Sequence, residues 1–325
     1  MIYKKVKLIS EEISAIGIGT WNFGGDWDNS SDSNSIDIVH GAIDMGVNFF
    51  DVAPVYGWGA SEVVLGRALK GKRDKVLIAS KGGLLWNDAH QTTNNLSQKS
   101  LLQEVDESLL RLETDYIDIY QLHWPDPNVS LEETAEALNI MRKAGKIRYV
   151  GLSNFSQKDV ETMMTYTSVE CQQGLYNMLE RNPASYHGIP LDYRTEDEVL
   201  PNVAKWGQAY LPYSPMFQGL LSGSFFQGEN FSKNDIRNNN PKLVGEGLIR
   251  YLDAVELIRE MANDIQKPMF QVALNWLRQK PEVTSIIGGV SGVGQLKENI
   301  ASCDWDIDAE TMARLDKITD PFRND

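Results

Sequence analysis

The segment DVAPVYGWGASEVVLG (51–66) follows an apolar run, GVNFF, that reads as a buried strand. The run ends on a carboxylate, Asp51, and a phenol, Tyr56, stands on the turn beyond it. Two more reactive groups end later runs of the same kind: Lys81 closes KVLIASK and His123 closes YIDIYQLH. A phenol with a pKa of about 10 exchanges protons poorly at neutral pH. A cation about 4 Å away, at an effective dielectric of about 20, favours the phenolate by roughly 4 kcal/mol before desolvation, and one pKa unit corresponds to about 1.36 kcal/mol. Burial alone would deprotonate Lys81, and Asp51 would keep it charged. The expected arrangement is that Asp51 maintains Lys81, Lys81 tunes Tyr56, Tyr56 exchanges a proton, and His123 holds a carbonyl oxygen in line with the phenol. Singly, each has a plainer role: a turn cap, a rim ion pair, a packed phenol, a satisfied buried histidine. Together at neighbouring strand ends they are hard to treat as coincidence.

Such groups meet only if the strand ends share one rim. Eight β-like runs alternate with helical patterns: 15–20, 47–51, 75–81, 116–123, 147–154, 168–173, 208–215 and 283–289. Helical periodicity fills 35–46, 61–71 behind Ser61 as N-cap, the turns around 101–109, and 130–145 behind a Ser130/Glu133 capping box. The strand runs lack long polar alternation, so both their faces are buried. Strand–helix alternation implies parallel pairing. Eight repeats predict an α/β fold of the (β/α)8 TIM-barrel type, spanning 1–325 as a single domain. The N-terminal MIYKKVKLISEEIS reads as a β-hairpin, and the long strand-to-helix loops 82–96, 174–193 and 215–248 would crowd one rim. A doubly wound sheet is disfavoured, because the first strand-to-helix turn, GTWNFGGDWDN, is long and lacks GxGxxG.

The net charge of −14 argues against a phosphate-tracking nucleic-acid surface. No apolar run approaches the roughly 20 residues that span a bilayer. Two cysteines, Cys171 and Cys303, make neither a disulfide framework nor a metal-ligand spacing. A reducing cytoplasm and a small-molecule ligand are expected, with no metal, and no tail or motif specifies an oligomeric state.

Other strand-end residues join the candidate rim: Thr20 and Trp21, Ser153 and Asn154, Gln173, Ser214, and Gly288 with Gly289. Trp21, Trp58, Trp86 and Trp124 follow strands one to four, with Trp27 nearby. Aromatic walls around a few polar groups suit a partly apolar or sugar-like carbonyl compound, and rim packing is their plainer role.

IGIGTWNFGG, DVAPVYGWGASEVVLGRAL, LIASKGG, DYIDIYQLHWPDP, GKIRYVGLSNFS, CQQGLYNMLER, LPYSPMFQGLLSG and VTSIIGGVSGVGQLKEN occur in that order. Over nearly its whole length the chain resembles the aldo-keto reductases, and its HWPDP and YSP…GLLSG forms resemble the bacterial and channel β-subunit-like branches. The resemblance implies a barrel that binds a nicotinamide dinucleotide, usually NADP, and reduces an aldehyde, ketone or sugar-like carbonyl to an alcohol. It places Asp51, Tyr56, Lys81 and His123 on the catalytic tetrad, with Tyr56 as general acid. Ser153, Asn154 and Gln173 fall on the residues that hold the nicotinamide amide, Gln173 rather than Gln172 because it precedes Tyr176 by three. Tyr213 falls on the residue stacking on the nicotinamide. Ser214, Pro215, Met216, Gln218, Gly219 and Leu220 fall on the loop over the pyrophosphate, and Gly289, Ser291, Gln295 and Asn299 on the adenosine segment. Thr20 and Trp21 complete the expected cofactor contacts.

One stretch departs from the family pattern. Gly288 replaces the usual strand-eight proline, Val293 a helix-starting proline, and no Lys or Arg lies between 288 and 294. NAD is therefore expected to be usable beside NADP, with Arg237 as the candidate to supply a missing positive charge. Two other functions compete. A Schiff-base lyase using Lys81 leaves Tyr56, Gln173 and the YSP loop without roles. A redox-sensing regulatory subunit would retain cofactor tightly and turn over slowly.

Overall fold

The computed structural model describes residues 1–24, 31–223 and 235–324. Its centre is a parallel sheet of eight strands, β1 (Ile16–Gly19), β2 (Phe49–Asp51), β3 (Leu77–Gly82), β4 (Ile117–Leu122), β5 (Ile147–Ser153), β6 (Cys171–Leu175), β7 (Ala209–Tyr213) and β8 (Ile286–Gly288). From β1 to β7 each strand pairs with the next, and β8 returns to β1 with Ile286 opposite Ile16. The ring is nearly closed. Between β7 and β8, among the described residues, there is a parallel bridge of Tyr210 with Val283. There the Thr284 N–H donates to the Tyr210 carbonyl at 2.9 Å and the Tyr210 N–H donates to Thr284 Oγ1 at 3.1 Å. Alternate residues of a parallel strand bond to the same neighbour. Pro212 therefore also faces β8, and it has no N–H to donate.

All eight expected strand runs are strands, with ends shifted by a few residues. Between and around them run α1 (Asp32–Asp44), α2 (Ala60–Ala68), α3 (Gln98–Leu112), α4 (Leu131–Lys143), α5 (Gln157–Met163), α6 (Leu200–Trp206), α7 (Gly245–Asp264), α8 (Met269–Arg278), α9 (Val293–Ile300) and α10 (Ala309–Thr319). Ser130 caps α4 as expected, accepting from the Glu133 N–H at 3.2 Å. Ser61 does not cap α2. That helix begins at Ala60 behind Gly59, which adopts φ 97°. The Ser61 hydroxyl turns inward and donates to the Thr20 carbonyl at 2.8 Å.

The two faces of each strand explain the core. Outward residues such as Ile18, Phe50, Ile78, Tyr120 and Val150 pack under the helices. Inward residues fill the barrel in layers. Low in the barrel, Phe49, Leu77, Ala79, Ile119, Cys171, Ala209, Leu211 and Ile287 form an apolar plug. The expected N-terminal hairpin, Tyr3–Lys4 paired with Ile13–Ser14, adds Ile9 and Ile13 to that plug. At the C-terminal end the same inward positions become polar: Asp51, Lys81, Gln121, Ser153 and Gln173. A period of two thus carries each strand from plug to site. The long loops hold two further hairpins, Leu84–Trp86 with Thr92–Asn94 and Ser185–Tyr186 with Ile189–Pro190.

Candidate active site

Asp51 ends β2, and Lys81 lies one residue before the end of β3. The Lys81 ammonium donates to Asp51 Oδ1 at 2.6 Å, to the Val52 carbonyl at 3.2 Å and to the Tyr56 hydroxyl at 3.2 Å. Lys81 is 0% exposed and Asp51 2%. A buried ion pair is tolerated only when its remaining lone pairs are satisfied. Here Asp51 Oδ2 accepts from Gln121 Nε2 at 3.1 Å and from Gln173 Nε2 at 2.8 Å.

Tyr56 opens a short turn, Tyr56–Gly59, in which Gly57 and Trp58 have φ of 56° and 55°. The reversal aims the phenol oxygen at Lys81. The His123 ring stands edge-on to the Tyr56 ring, centroids 6.0 Å apart. The expected four groups are thus brought together. Their charge states differ from the expectation in one respect. Burial pushes the Tyr56 phenol well above its ordinary pKa, and the Asp51 charge acts in the same direction. Asp51 offsets the cation that was expected to lower it. Burial likewise lowers the Lys81 pKa, opposed by Asp51. His123 is held well below its usual value, first by burial and then by the charge of Lys81. At neutral pH the site therefore holds a protonated phenol and a neutral imidazole, both able to donate to one oxygen.

β5 and β6 supply the next wall. Asn154 follows β5 with φ 64°, a left-handed conformation that asparagine accepts more readily than most residues. Its Nδ2 donates to Ser153 Oγ at 3.1 Å and to the His123 carbonyl at 3.3 Å. Its Oδ1 accepts from Tyr193 at 3.1 Å and from Tyr213 at 2.9 Å. The Asn154 N–H donates to the Gln173 carbonyl at 3.1 Å, so Ser153, Asn154, Gln173 and Tyr213 form one connected cluster beside Asp51, Tyr56, Lys81 and His123. Tyr186, on the hairpin of the β6–α6 loop, stands edge-on to Tyr213 with centroids 5.1 Å apart.

After β7, Ser214, Phe217 and Gln218 have φ of 51°, 46° and 52°, and Gly219 has φ 103°. Four left-handed residues fold Ser214–Leu220 into a tight arch and turn its backbone toward the rim. Pro215 and the Leu220 side chain are buried beneath it, while Met216, Gln218 and Gly219 are half-buried. Gln218 pairs with the His187 ring and accepts from Asn240 Nδ2 at 3.0 Å. Arg237 does reach this arch: one of its nitrogens lies 3.6 Å from where a side chain on Gly219 would begin. Asp235 grips it through contacts of 2.9 and 2.6 Å.

Beyond β8, no atom of the described residues lies within 4 Å of where a Cβ would project from Gly289, Gly292 or Gly294. The N-cap of α9, Gly292, offers no side chain to its first N–H groups. Ser291 and Gln295 bond to each other, the Ser291 N–H and hydroxyl donating to Gln295 Oε1 at 2.8 and 3.0 Å. Asn299 is 2% exposed and its Oδ1 has no hydrogen-bond partner among the described residues. An open glycine segment, an uncapped helix start and an orphaned buried acceptor together fit a ligand that carries phosphate and an amino-bearing ring.

Two expectations are modified. Thr20 is 0% exposed, and its hydroxyl bonds with the Asp51 carbonyl at 3.1 Å and Ser61 Oγ at 2.8 Å, so it braces the strand ends. The tryptophans divide. Trp21 stacks on Tyr56 at 5.9 Å, whereas Trp58 meets Trp86 at 6.1 Å and stacks on His90 at 4.3 Å. Trp124 directly follows His123 and is half-buried. Trp27 lies outside the described residues. Four contributors had not been singled out: Gln121, Tyr186, His187 and Tyr193.

The Aldo/keto reductase family model matches residues 15–320. The chain belongs to this family. It is 34% identical over 322 residues to Aldo-keto reductase YhdN of Bacillus subtilis, covering 98% of this chain and 93% of the relative. It is 31% identical over 333 residues to the NADH-specific methylglyoxal reductase of Escherichia coli, covering 96% and 98%. The structure of the glycerol dehydrogenase AKR11B4 from Gluconobacter oxydans matches with a TM-score of 0.87 at 29% identity, over 99% of this chain and 96% of that one. Membership of this family makes the chain an oxidoreductase of carbonyl compounds. Among the described residues no helix is long and apolar enough to cross a membrane.

Proposed function

We propose that the protein reduces small aldehydes or ketones to alcohols with NADH or NADPH, Tyr56 being the general acid. The observation that carries this reading is the Lys81 ammonium, which touches both Asp51 at 2.6 Å and the Tyr56 hydroxyl at 3.2 Å. The cofactor, when bound, supplies a hydride to the carbonyl carbon. Tyr56 and neutral His123 donate hydrogen bonds to the carbonyl oxygen, and Tyr56 releases its proton as negative charge develops there. Lys81 steadies the phenolate that remains. Ser153, Asn154, Gln173 and Tyr213 would hold the nicotinamide end, the 214–220 arch the pyrophosphate, and Gly289, Ser291, Gln295 and Asn299 the adenosine end. Trp21, which stacks on Tyr56, and Trp58, Trp86 and Trp124 would line the substrate's place.

Both cofactors fit this reading. No base lies between 288 and 294, and Arg237 is already paired with Asp235. A relative whose name marks it as NADH-specific aligns over nearly the whole chain. The test is an initial-rate screen, by cofactor absorbance, against methylglyoxal, glyceraldehyde, glycerone and aromatic aldehydes. Turnover with at least one of them that is lost in Tyr56→Phe is expected. No turnover with any, or full turnover in the variant, would remove the proposal.

A further inference from the structure

Gln121 lies on β4 directly opposite Lys81 of β3 and Gly151 of β5. It is 0% exposed, and its Nε2 donates to Asp51 Oδ2 at 3.1 Å. Its Oε1 is buried and has no hydrogen-bond partner among the described residues. A half-satisfied amide in a barrel interior lowers stability, and a methionine of similar shape would not. The neighbouring strand also makes room for it, since a Cβ on Gly151 would lie 2.7 Å from Gln121 Cγ. The other donor to Asp51 Oδ2, Gln173, belongs to the cluster assigned above to the nicotinamide amide. Gln121 makes no other hydrogen bond with a side chain among the described residues. We infer that Gln121 is a positioning residue for the reaction: it fixes the Asp51 carboxylate so that Oδ1 stays on Lys81 and the ammonium stays under the Tyr56 hydroxyl.

This inference rests on the proposed roles of Lys81 and Tyr56. Without Gln121 the carboxylate can rotate, and Lys81 is less firmly kept as a cation against its burial. In Gln121→Met, kcat for methylglyoxal should fall about tenfold, the loss of one hydrogen bond to a charged group. The alkaline limb of the pH–rate profile should move to lower pH. Cofactor affinity, read by quenching of protein fluorescence, should stay within about twofold. Gln121→Glu is the second variant. Its carboxyl can donate to Asp51 only while protonated, so activity should approach the wild-type level at acidic pH and disappear as pH rises. A merely structural glutamine predicts lower melting temperatures with the wild-type kcat and pH profile, and that result overturns the inference. Should the methionine variant not fold, the glutamate variant decides by the same criterion. Lys81→Met is the control. If it keeps full activity, the tetrad reading fails; if it loses activity while both Gln121 variants behave as wild type, only this inference fails.

Discussion

The Lys81 ammonium lies 3.2 Å from the Tyr56 hydroxyl. At that distance it can donate a hydrogen bond to a phenolate without giving up its proton. Its own charge is matched by Asp51 at 2.6 Å, so the resting phenol keeps its proton. The site is built to donate.

Tyr56→Phe removes that proton and little else. The expected loss in kcat is at least about a hundredfold, the lower end of general-acid effects. Cofactor affinity, measured by fluorescence titration, should be nearly unchanged. Wild-type kcat in the variant would remove Tyr56 from the mechanism.

Lys81→Met leaves Asp51 buried without its cation. Breaking a buried pair in this way costs about 3–5 kcal/mol, whereas replacing both partners costs less. The double variant Asp51→Asn with Lys81→Met should therefore melt above Lys81→Met alone. Equal or lower melting of the double variant would show that Gln121 and Gln173 alone satisfy the carboxylate.

The pH dependence follows from the signs. Tyr56 has a raised pKa and must be protonated to reduce a carbonyl, so reduction holds until pH rises toward that pKa. Lys81 has a lowered pKa, and loss of its charge contributes to the same alkaline limb, the two titrating as a pair. His123 is neutral because its pKa lies well below the usual value, so no acid limb is expected from it near neutrality. The kcat for reduction should be flat through neutrality and fall only on the alkaline side, while alcohol oxidation should rise there. A histidine-like limb near neutrality would contradict the neutral imidazole.

NADPH and NADH should differ by less than about a hundredfold in kcat/KM, one missing charge-assisted contact. Ser291→Arg should raise the NADPH preference, because the 289–294 segment is open to a new side chain. A preference for NADPH above about a thousandfold in the wild type, unmoved by Ser291→Arg, would mean that another residue already grips the 2′-phosphate.

Glu104 on α3 accepts from the Gly83 N–H and from Ser100 Oγ, both at 2.8 Å, and burial raises its pKa from 4.5 to about 7. A carboxyl with a raised folded-state pKa stabilises the fold at pH below its unfolded value and loses that contribution as pH rises through about 7. The difference amounts to about 3 kcal/mol at most. Glu104→Gln carries no charge, so the wild type should lose melting temperature relative to it between about pH 5 and 8. A constant difference across that range would mean that Glu104 ionises freely in the folded state.

The upper layer of the barrel is legible in the sequence because strand ends converge in this architecture. Asp51, Lys81 and His123 stand out as reactive types closing apolar runs. Gln121 sits in such a run and is harder to see: a strand buried on both faces shows no inward–outward alternation, and only the register with Lys81 sets its direction. Thr20 shares a strand end with the site, yet its hydroxyl is used within the wall, which depends on where Ser61 points. The charge relay was legible in its members and not in its sign. Burial and the Asp51 charge together outweigh Lys81, and both depend on depth. Tyr186, His187 and Tyr193 come from a long loop without periodicity, so nothing local announces where it folds back.

The joint between β7 and β8 gives the wall of the barrel a direction of weakness. Tyr210 clasps Thr284, Pro212 has no N–H to clasp with, and every other neighbouring pair is a true ladder. Mechanically the wall is a curled ribbon with its two ends buttoned. The arch of 214–220 springs from one end and the glycine segment 289–294 from the other. A molecule held by both would lie across the button line as a strap, so the softest breathing of the ribbon would be damped by whatever fills the cleft.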